Sequence, residues 1–288
     1  MHRLAVLLLL IAIEAPAQHR MYVADIASKA WVAGIPLRDG GLHARDFGLG
    51  WERRGFLHPD IQSIAFDPRD PKRIFLAGGS GLILAEDRGR RWRILTSNDM
   101  AEARDVAIDP QEPASIYLAL PDGLGLSRDG GATWTRTAEP TPRHYTHTVA
   151  VDRTRAGRIL RGGESGIWLS ENRGATWKHA GPNALETTDL VQSPHDPSFW
   201  LATTQHAGLW ASHDNGISWT RIEPVDGAST LYNAAFDPTT PGRIATCGWG
   251  AGVQVSSDAG KTWTARTAGL PTSQCWRVAW DPDFPARL

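Results

Sequence analysis

Trp51, Trp92, Trp134, Trp177, Trp219 and Trp263 follow one another at intervals of 41, 42, 43, 42 and 44 residues, and no other feature of the chain constrains its fold so tightly. Each tryptophan closes a block of similar wording: ARDFGLGW (44–51), AEDRGRRW (85–92), SRDGGATW (127–134), SENRGATW (170–177), SHDNGISW (212–219) and SSDAGKTW (256–263). A period of roughly 40 residues implies small supersecondary units that stack on their neighbours.

The unit is clearest in SIAFDPRDPKRIFLAGGSGLILAEDRGRRWRIL, residues 63–95. Four short apolar or alternating runs, SIAF, RIFLA, GLILA and RWRIL, are separated by turn residues and read as strands A to D. The same frame fits DVAIDPQEPASIYLAL, TVAVDRTRAGRILRGG, LVQSPHDPSFWLATT and NAAFDPTTPGRIATCG. Proline in the D-P-x-x-P links stays in the A–B connection, where no ladder hydrogen bond is lost. No run of ten or more residues after the first few has helical period, so the expected class is all-β. Four-stranded antiparallel units of this length are the blades of a β-propeller. The tail WRVAWDPDFPARL (276–288) supplies a strand A, and AWVAGIPLRDGGLHARD (30–46) supplies B and C without one. Joining them closes a ring of six blades, with the C-terminal strand A pairing on the N-terminal blade; a chain cut short would instead lack a seventh.

MHRLAVLLLLIAIEAPAQ has a basic start, a ten-residue apolar run from Leu4 to Ile13 and a small-residue A-x-A ending at Ala17. This pattern reads as a cleaved signal peptide over residues 1–17, followed by one propeller domain over 18–288. The run falls short of the roughly 20 residues needed to span a bilayer as a helix. The expectation is a periplasmic or extracellular monomer with no membrane span. With 30 basic and 31 acidic residues scattered along the chain, a nucleic acid or an anionic membrane is not an expected partner. Cys247 and Cys275 fall on one predicted face of the last two sectors. Export would permit one bridge between them; otherwise they pack as small hydrophobes.

The repeated block has a structural explanation. Its acid, Asp46, Asp87, Asp129, Asp214 or Asp258, falls where strand C turns into D and can accept backbone N–H groups of the turn, helped by a serine two residues earlier in most copies. Asn172 replaces the acid in the fourth copy, and Ala44 and Ala85 replace the serine in the first two. The tryptophan then folds over the hairpin and buries roughly 150–250 Å², an upper limit of about 4–6 kcal/mol for each blade. Six equivalent catalytic carboxylates would serve no reaction, so the block is scaffold.

These blocks resemble Asp-box (BNR) repeats, S-x-D-x-G-x-T-W, which occur in sialidases, xyloglucanases, sortilin-type receptors and photosystem II assembly factors. The D-P-x-x-P-x-R-I element before each block is closer to the xyloglucanase, sortilin and assembly-factor branch. The resemblance implies a propeller across the mature chain, with the boxes on a rim away from the binding face. Activity does not follow from it, because the repeat serves enzymes, receptors and chaperone-like factors alike. The sialidase R-I-P motif is absent, GIPLR at 34–38 having another order, and no positions match that family's arginine triad.

Candidate binding residues are those that break the repeat opposite the boxes. The positions opening strand A carry Gln62, Arg104, His147, Thr188, Tyr232 and Trp276, followed by Ser63, Asp105, Thr148, Asp189, Asn233 and Arg277. The B–C turns add Arg38 and Asp39, Ser80, Asp122, Glu164, His206 and Trp249. Diversity at one end of otherwise regular strands is where repeat proteins place their binding groups. Trp249, Trp276 and Tyr232 form an expected aromatic platform for a sugar ring or a partner side chain, with Arg104, Arg277, His147 and His206 as polar neighbours. Trp31, Trp168, Trp200, Trp210 and Trp280 lie inside strands and are expected in the core. Glycoside hydrolysis needs two carboxyl groups about 5–9.5 Å apart; Asp105, Asp122, Glu164 and Asp189 are the candidates, with solvated rim acids as the ordinary reading. His144 and His147, three apart, point to opposite faces of a strand, so neither a metal nor another cofactor is expected. The reading is a binding or assembly module for a glycan or protein partner, rather than an enzyme; the alternative is a glycoside hydrolase similar to the xyloglucanases.

Overall fold

The computed structural model describes residues 8–12, 20–25, 40–45, 50–55, 57–138, 144–182, 185–222, 230–270, 273–281 and 287–288. They form twenty-four strands, β1 to β24 in chain order, grouped as six sheets of four antiparallel strands. Every sheet is a meander whose spatial order follows the sequence, and the sheets pack face on face as a propeller ring of six blades. One 3-10 turn, Asn98–Met100, is the sole helical element among the described residues.

Both faces of the middle strands are covered, which explains why they read as continuous apolar runs. In β10 (Ile116–Leu120) and β11 (Gly123–Ser127) every residue is buried. The core lies between blades: Tyr22 and Leu42 of the first pack on Ile61, Ile74 and Leu76 of the second, whose Phe75, Leu82 and Leu84 pack on Val106, Ile116 and Leu118 of the third.

The C–D turns are local hydrogen-bonded loops. Ser127 Oγ donates to Asp129 Oδ1 (2.8 Å) and accepts from Gly131 N (2.8 Å), while Thr133 gives its N–H and hydroxyl to the same carboxylate at 2.8 and 2.6 Å. Ser256, Asp258, Gly260 and Thr262 repeat these bonds. Asn172 keeps them with one reversal, its Nδ2 donating to Thr176 Oγ1 at 2.9 Å. The tryptophans do more than fold over their own hairpins, because Trp134 Nε1 donates to Leu95 O (3.0 Å) and Trp177 Nε1 to Ala138 O (2.6 Å), both on the preceding blade. These rings tie sectors together. Asp46 lies outside the described residues, and Trp51 in that first copy is 43% exposed.

The first blade differs from the sequence expectation. Its second strand is β2 (Arg20–Asp25), its third β3 (Gly41–Arg45) and its fourth β4 (Glu52–Arg54); the expected strand B near Trp31 lies outside the described residues. The strand that pairs with β2 is β1 (Leu8–Ala12), from Leu8 opposite Ala24 to Ala12 opposite Arg20, and not the C-terminal segment. A β-competent run seven residues upstream forms a hairpin with about 3 kcal/mol less loop-closure entropy than a segment about 250 residues away.

The tail nevertheless keeps the chemistry of a strand A. Val278 N donates to Asn233 Oδ1 (2.8 Å), as Val149 N does to Asp105 Oδ2 and Ala234 N to Asp189 Oδ2. Asp281 N donates to Arg287 O (2.9 Å), repeating Asp152 to Arg158 and Asp237 to Arg243 in other blades. Trp280 is buried and donates to Ala235 O at 3.1 Å.

Candidate functional site

The antiparallel register separates two ends of every blade. In the second, Ile61 of β5 (Ile61–Asp67) lies opposite Gly78, itself opposite Gly81, while Phe66 lies opposite Ile74 and Ile74 opposite Ala85. Strand A openings and B–C turns therefore share one end, and the tryptophan turns occupy the other.

At that first end four strands A are bulged at the same place. In β5 the pairing jumps from Ile61 to Ser63, and in β13 (Thr146–Val151) from Thr146 to Thr148. In β17 (Thr187–Gln192) it jumps from Thr187 to Asp189, and in β21 (Thr230–Phe236) from Leu231 to Asn233. The skipped residues are Gln62, His147, Thr188 and Tyr232. A bulge leaves its extra residue outside the ladder and re-aims its side chain. With Arg104, just before β9 (Asp105–Ile108), and Trp276, these residues line one cavity of about 180 Å³ at the channel mouth. The six non-equivalent strand openings thus converge on one space.

One wall is aromatic, formed by Tyr232 and Trp276, with Trp249 packed against both rings just outside the lining. Tyr232 and Trp276 stack at 4.2 Å between ring centroids and 28°, and Trp249 meets both edge-on, at 6.0 and 5.2 Å. Trp249, the last residue of β22 (Ile244–Trp249), is 43% exposed. Trp276 Nε1 is buried and has no hydrogen-bond partner among the described residues.

The polar wall centres on Glu186, which sequence reasoning missed. Its carboxylate lies 3.4 Å from His147 Nε2, and Gln205, with its amide nitrogen turned towards it, donates to both oxygens at 2.6 Å. Burial lowers the His147 pKa below the ordinary imidazole value, opposed by Glu186 and assisted by Arg104. Arg104 sits with its guanidinium carbon 6.0 Å from the Tyr145 ring centre; its Nε is buried without an acceptor, and it forms no ion pair among the described residues. Acids precede several strand openings, among them Asp60, Glu102 and Glu186, and nothing in the local wording singles out the last.

The residues one step further in line the inner strands. Asp105 accepts from Ser63 Oγ (2.6 Å), Thr148 Oγ1 (2.9 Å), Val106 N (2.9 Å) and Val149 N (3.0 Å). Burial pushes its carboxyl upward, against the pull of Arg277 and Ser63. Asp189 accepts from Asn233 Nδ2 (2.7 Å) and lies 3.4 Å from Arg277 Nη1. Asp122 is tied to Arg136 at 2.8 Å, and Glu164 accepts from Tyr145 N at 3.2 Å and faces His144 Nδ1 at 3.6 Å. Asp105 and Asp189 are thus engaged in the wall behind the cavity, and Asp122 and Glu164 in the outer turns. His206 stays outside the cavity, its Nδ1 3.3 Å from Thr230 Oγ1, whereas its neighbour Gln205 lines it. Arg38 and Asp39 lie outside the described residues.

Of the tryptophans expected in the core, Trp200 and Trp280 are buried and Trp168 and Trp210 half-buried; Trp31 lies outside the described residues. Cys247 and Cys275 are free thiols in hydrogen-bond contact, with Cys275 N donating to Gly248 O at 3.3 Å. Burial raises the Cys247 pKa well above the ordinary thiol value. No group of three or more histidine, cysteine, aspartate or glutamate residues is placed to hold a metal ion among the described residues. No described helix is long and apolar enough to cross a membrane.

No protein-family model matches the chain, and no curated protein matches it in sequence. Solved structures do resemble it in shape. A GH74 enzyme from Niastella koreensis superposes with a TM-score of 0.70 at 18% identity, over 85% of this chain and 43% of its own. The GH74 xyloglucanase from Xanthomonas campestris gives 0.66 at 17% identity, over 89% of this chain and 46% of its own. YCF48 bound to D1 peptide gives 0.54 at 19% identity, over 72% of this chain and 68% of its own. This chain spans less than half the length of either GH74 protein. At such identities the likeness is one of fold, and the fold is that of a β-propeller.

Proposed function

We propose that this chain is an exported, monomeric binding module that recognises a glycan or protein partner at the channel mouth. The observation that carries the reading is the convergence of the strand openings, Gln62, Arg104, His147, Thr188, Tyr232 and Trp276, on one cavity with an aromatic wall. Repetition makes the interior of each blade alike; here six blades contribute six different chemistries to one space. YCF48, one of the similar folds, is seen with a peptide bound, which supports a recognition role for such a ring. The likeness of the tryptophan turns to Asp-box (BNR) repeats belongs to the same reading, supported by their shared hydrogen-bond pattern.

The GH74 likeness favours a second reading, a glycoside hydrolase. That reaction needs two carboxyl groups facing one bond. Here Asp105 and Asp189 are engaged by neighbours behind the wall, Asp122 and Glu164 are engaged in outer turns, and among the described carboxylates Glu186 alone lines the cavity.

A glycan and peptide array probed with the 18–288 chain and with Trp249→Ala tests the binding reading. Loss of the captured ligands in the variant is expected. Ligands indifferent to the substitution would remove the mouth as the site, and release of reducing sugar from xyloglucan would move the reading to hydrolysis.

A further inference from the structure

Resting on that reading of the mouth, we propose that its ligand is an acidic sugar, a hexuronate unit of a glycan, with its carboxylate on Arg104 and its ring against the Tyr232–Trp249–Trp276 wall. The charges around the cavity are unevenly satisfied. Arg277 is paired with Asp189 at 3.4 Å, and Glu186 is held by Gln205 beside His147. Arg104 has no carboxylate partner among the described residues, and its Nε faces no acceptor. A guanidinium presents a planar fork of donors that matches a carboxylate, and leaving such donors unmet in a half-buried site is costly. Trp276 Nε1 is a second buried donor without an acceptor on the same wall. Two unmet donors facing one cavity call for a ligand rich in acceptors.

The rest of the lining narrows the class. A bare anion such as phosphate would gain nothing from the aromatic wall. A neutral sugar would stack but leave Arg104 unmet. A hexuronate answers both: its carboxylate suits Arg104, its hydroxyls can donate to Glu186 and exchange bonds with Gln62 and Gln205, and its C–H face packs on an indole. A cavity of about 180 Å³ accommodates one such ring.

Titration calorimetry would compare trigalacturonate, the same trisaccharide with its carboxyl groups reduced to alcohols, and a short aromatic peptide in free-acid and amidated forms. Hydrogen bonds to a charged group contribute about 1.5–3 kcal/mol, so the acid trisaccharide should bind roughly 10- to 100-fold more tightly than its reduced form. Arg104→Gln should abolish that preference and Arg104→Lys keep part of it. Unchanged melting of both variants would show that folding is intact, since the backbone bond of Arg104, from its N–H to Ala119 O, does not involve the side chain. Equal binding of the acid and reduced sugars, a preference that survives Arg104→Gln, or binding of the peptide alone would overturn the acidic-sugar assignment. If Trp249→Ala weakens binding while acid and neutral sugars bind alike, this inference falls and the mouth reading stands; indifference to Trp249→Ala removes both.

Discussion

Ser256 is a small residue with a large share of one turn. Its hydroxyl, 1% exposed as a residue, donates to Asp258 Oδ1 and accepts from Asp258 N and Gly260 N, so the turn loses three bonds if it is removed. Ser256→Ala should lower stability by about 1–2 kcal/mol, or about 2–6 °C in melting midpoint, while Ser257→Ala, on the exposed neighbour, should shift it by less than a degree. The second blade already lives without this bond: Ala85 stands in the serine position and Asp87 is tied to Arg91 at 2.9 Å instead. The acids of the better turns set a pH dependence. Hydrogen bonds from Thr133 and Thr262, then from their own serines, hold the Asp129 and Asp258 carboxyls at about 2. Asp214 is also brought to about 2, Ser218 and Ser212 outweighing its partial burial. A carboxyl depressed in the folded state stabilises it fully above the unfolded value near 4, and that contribution is lost as pH falls through the folded value. Thermal melting should therefore hold steady down to about pH 4 and drop steeply between there and pH 2. In Ser127→Ala/Ser212→Ala/Ser256→Ala the drop should become shallower; an unchanged slope would mean that these carboxylates do not carry the acid response.

At the scale of the strand, the bulge is what separates a mouth residue from a core residue. The pairing jumps at Gln62, His147, Thr188 and Tyr232 push those side chains out of the ladder, and in three of these four blades a glycine ending strand B makes room for the backbone carbonyl just ahead of the bulge. A Cβ on Gly78, Gly163 or Gly248 would sit 2.1, 2.0 and 2.0 Å from the carbonyl oxygens of Asp60, Tyr145 and Thr230. Gly248→Ala should cost about 1–3 kcal/mol and, by shifting Thr230 and Leu231, disturb the stacking of Tyr232 on Trp276, read as a change in tryptophan emission together with weaker ligand binding. Unaltered emission with full stability would mean that the bulge tolerates a side chain. Much of this was legible in the sequence: aligning the repeats isolates the six opening positions, because apolar uniformity resumes two residues later. The bulge was not, since an extra residue inside an alternating run leaves the pattern locally ambiguous and only the recurring glycine at the end of strand B hints at it. Glu186 and Gln205 stayed hidden for another reason. Glu186 stands two residues before its strand opening, as Asp60 and Glu102 do, so alignment gives it no distinction, and Gln205 adjoins His206, the B–C residue that alignment selects in its place.

For the whole molecule the open question is which end of the chain completes the first blade. Joining tail to head is the economical reading of the repeat, and the tail does hold the hydrogen-bond register of a strand A against the last blade, through Val278 to Asn233 and the Asp281 to Arg287 turn. Yet in the full chain β2 is paired by Leu8–Ala12, within the segment that reads as a signal peptide. Sequence patterning cannot choose between two β-competent segments competing for one edge, because their difference lies in loop entropy and in whether residues 1–17 are present. Removal of residues 1–17 would leave the β2 edge without its partner, and bare edges are costly. Trp276 already packs against the Tyr22 and Leu42 cluster of the first blade, so the tail is near enough to take the place. Hydrogen exchange of the segment 20–25 in the 18–288 chain should therefore stay slow, and become fast when residues 276–288 are also removed. The second deletion takes Trp276 and Arg277 with it, so closure and the ligand seat should be lost together. Fast exchange of that segment in the 18–288 chain would show instead that the ring rests on β1 and opens when that strand is cut away.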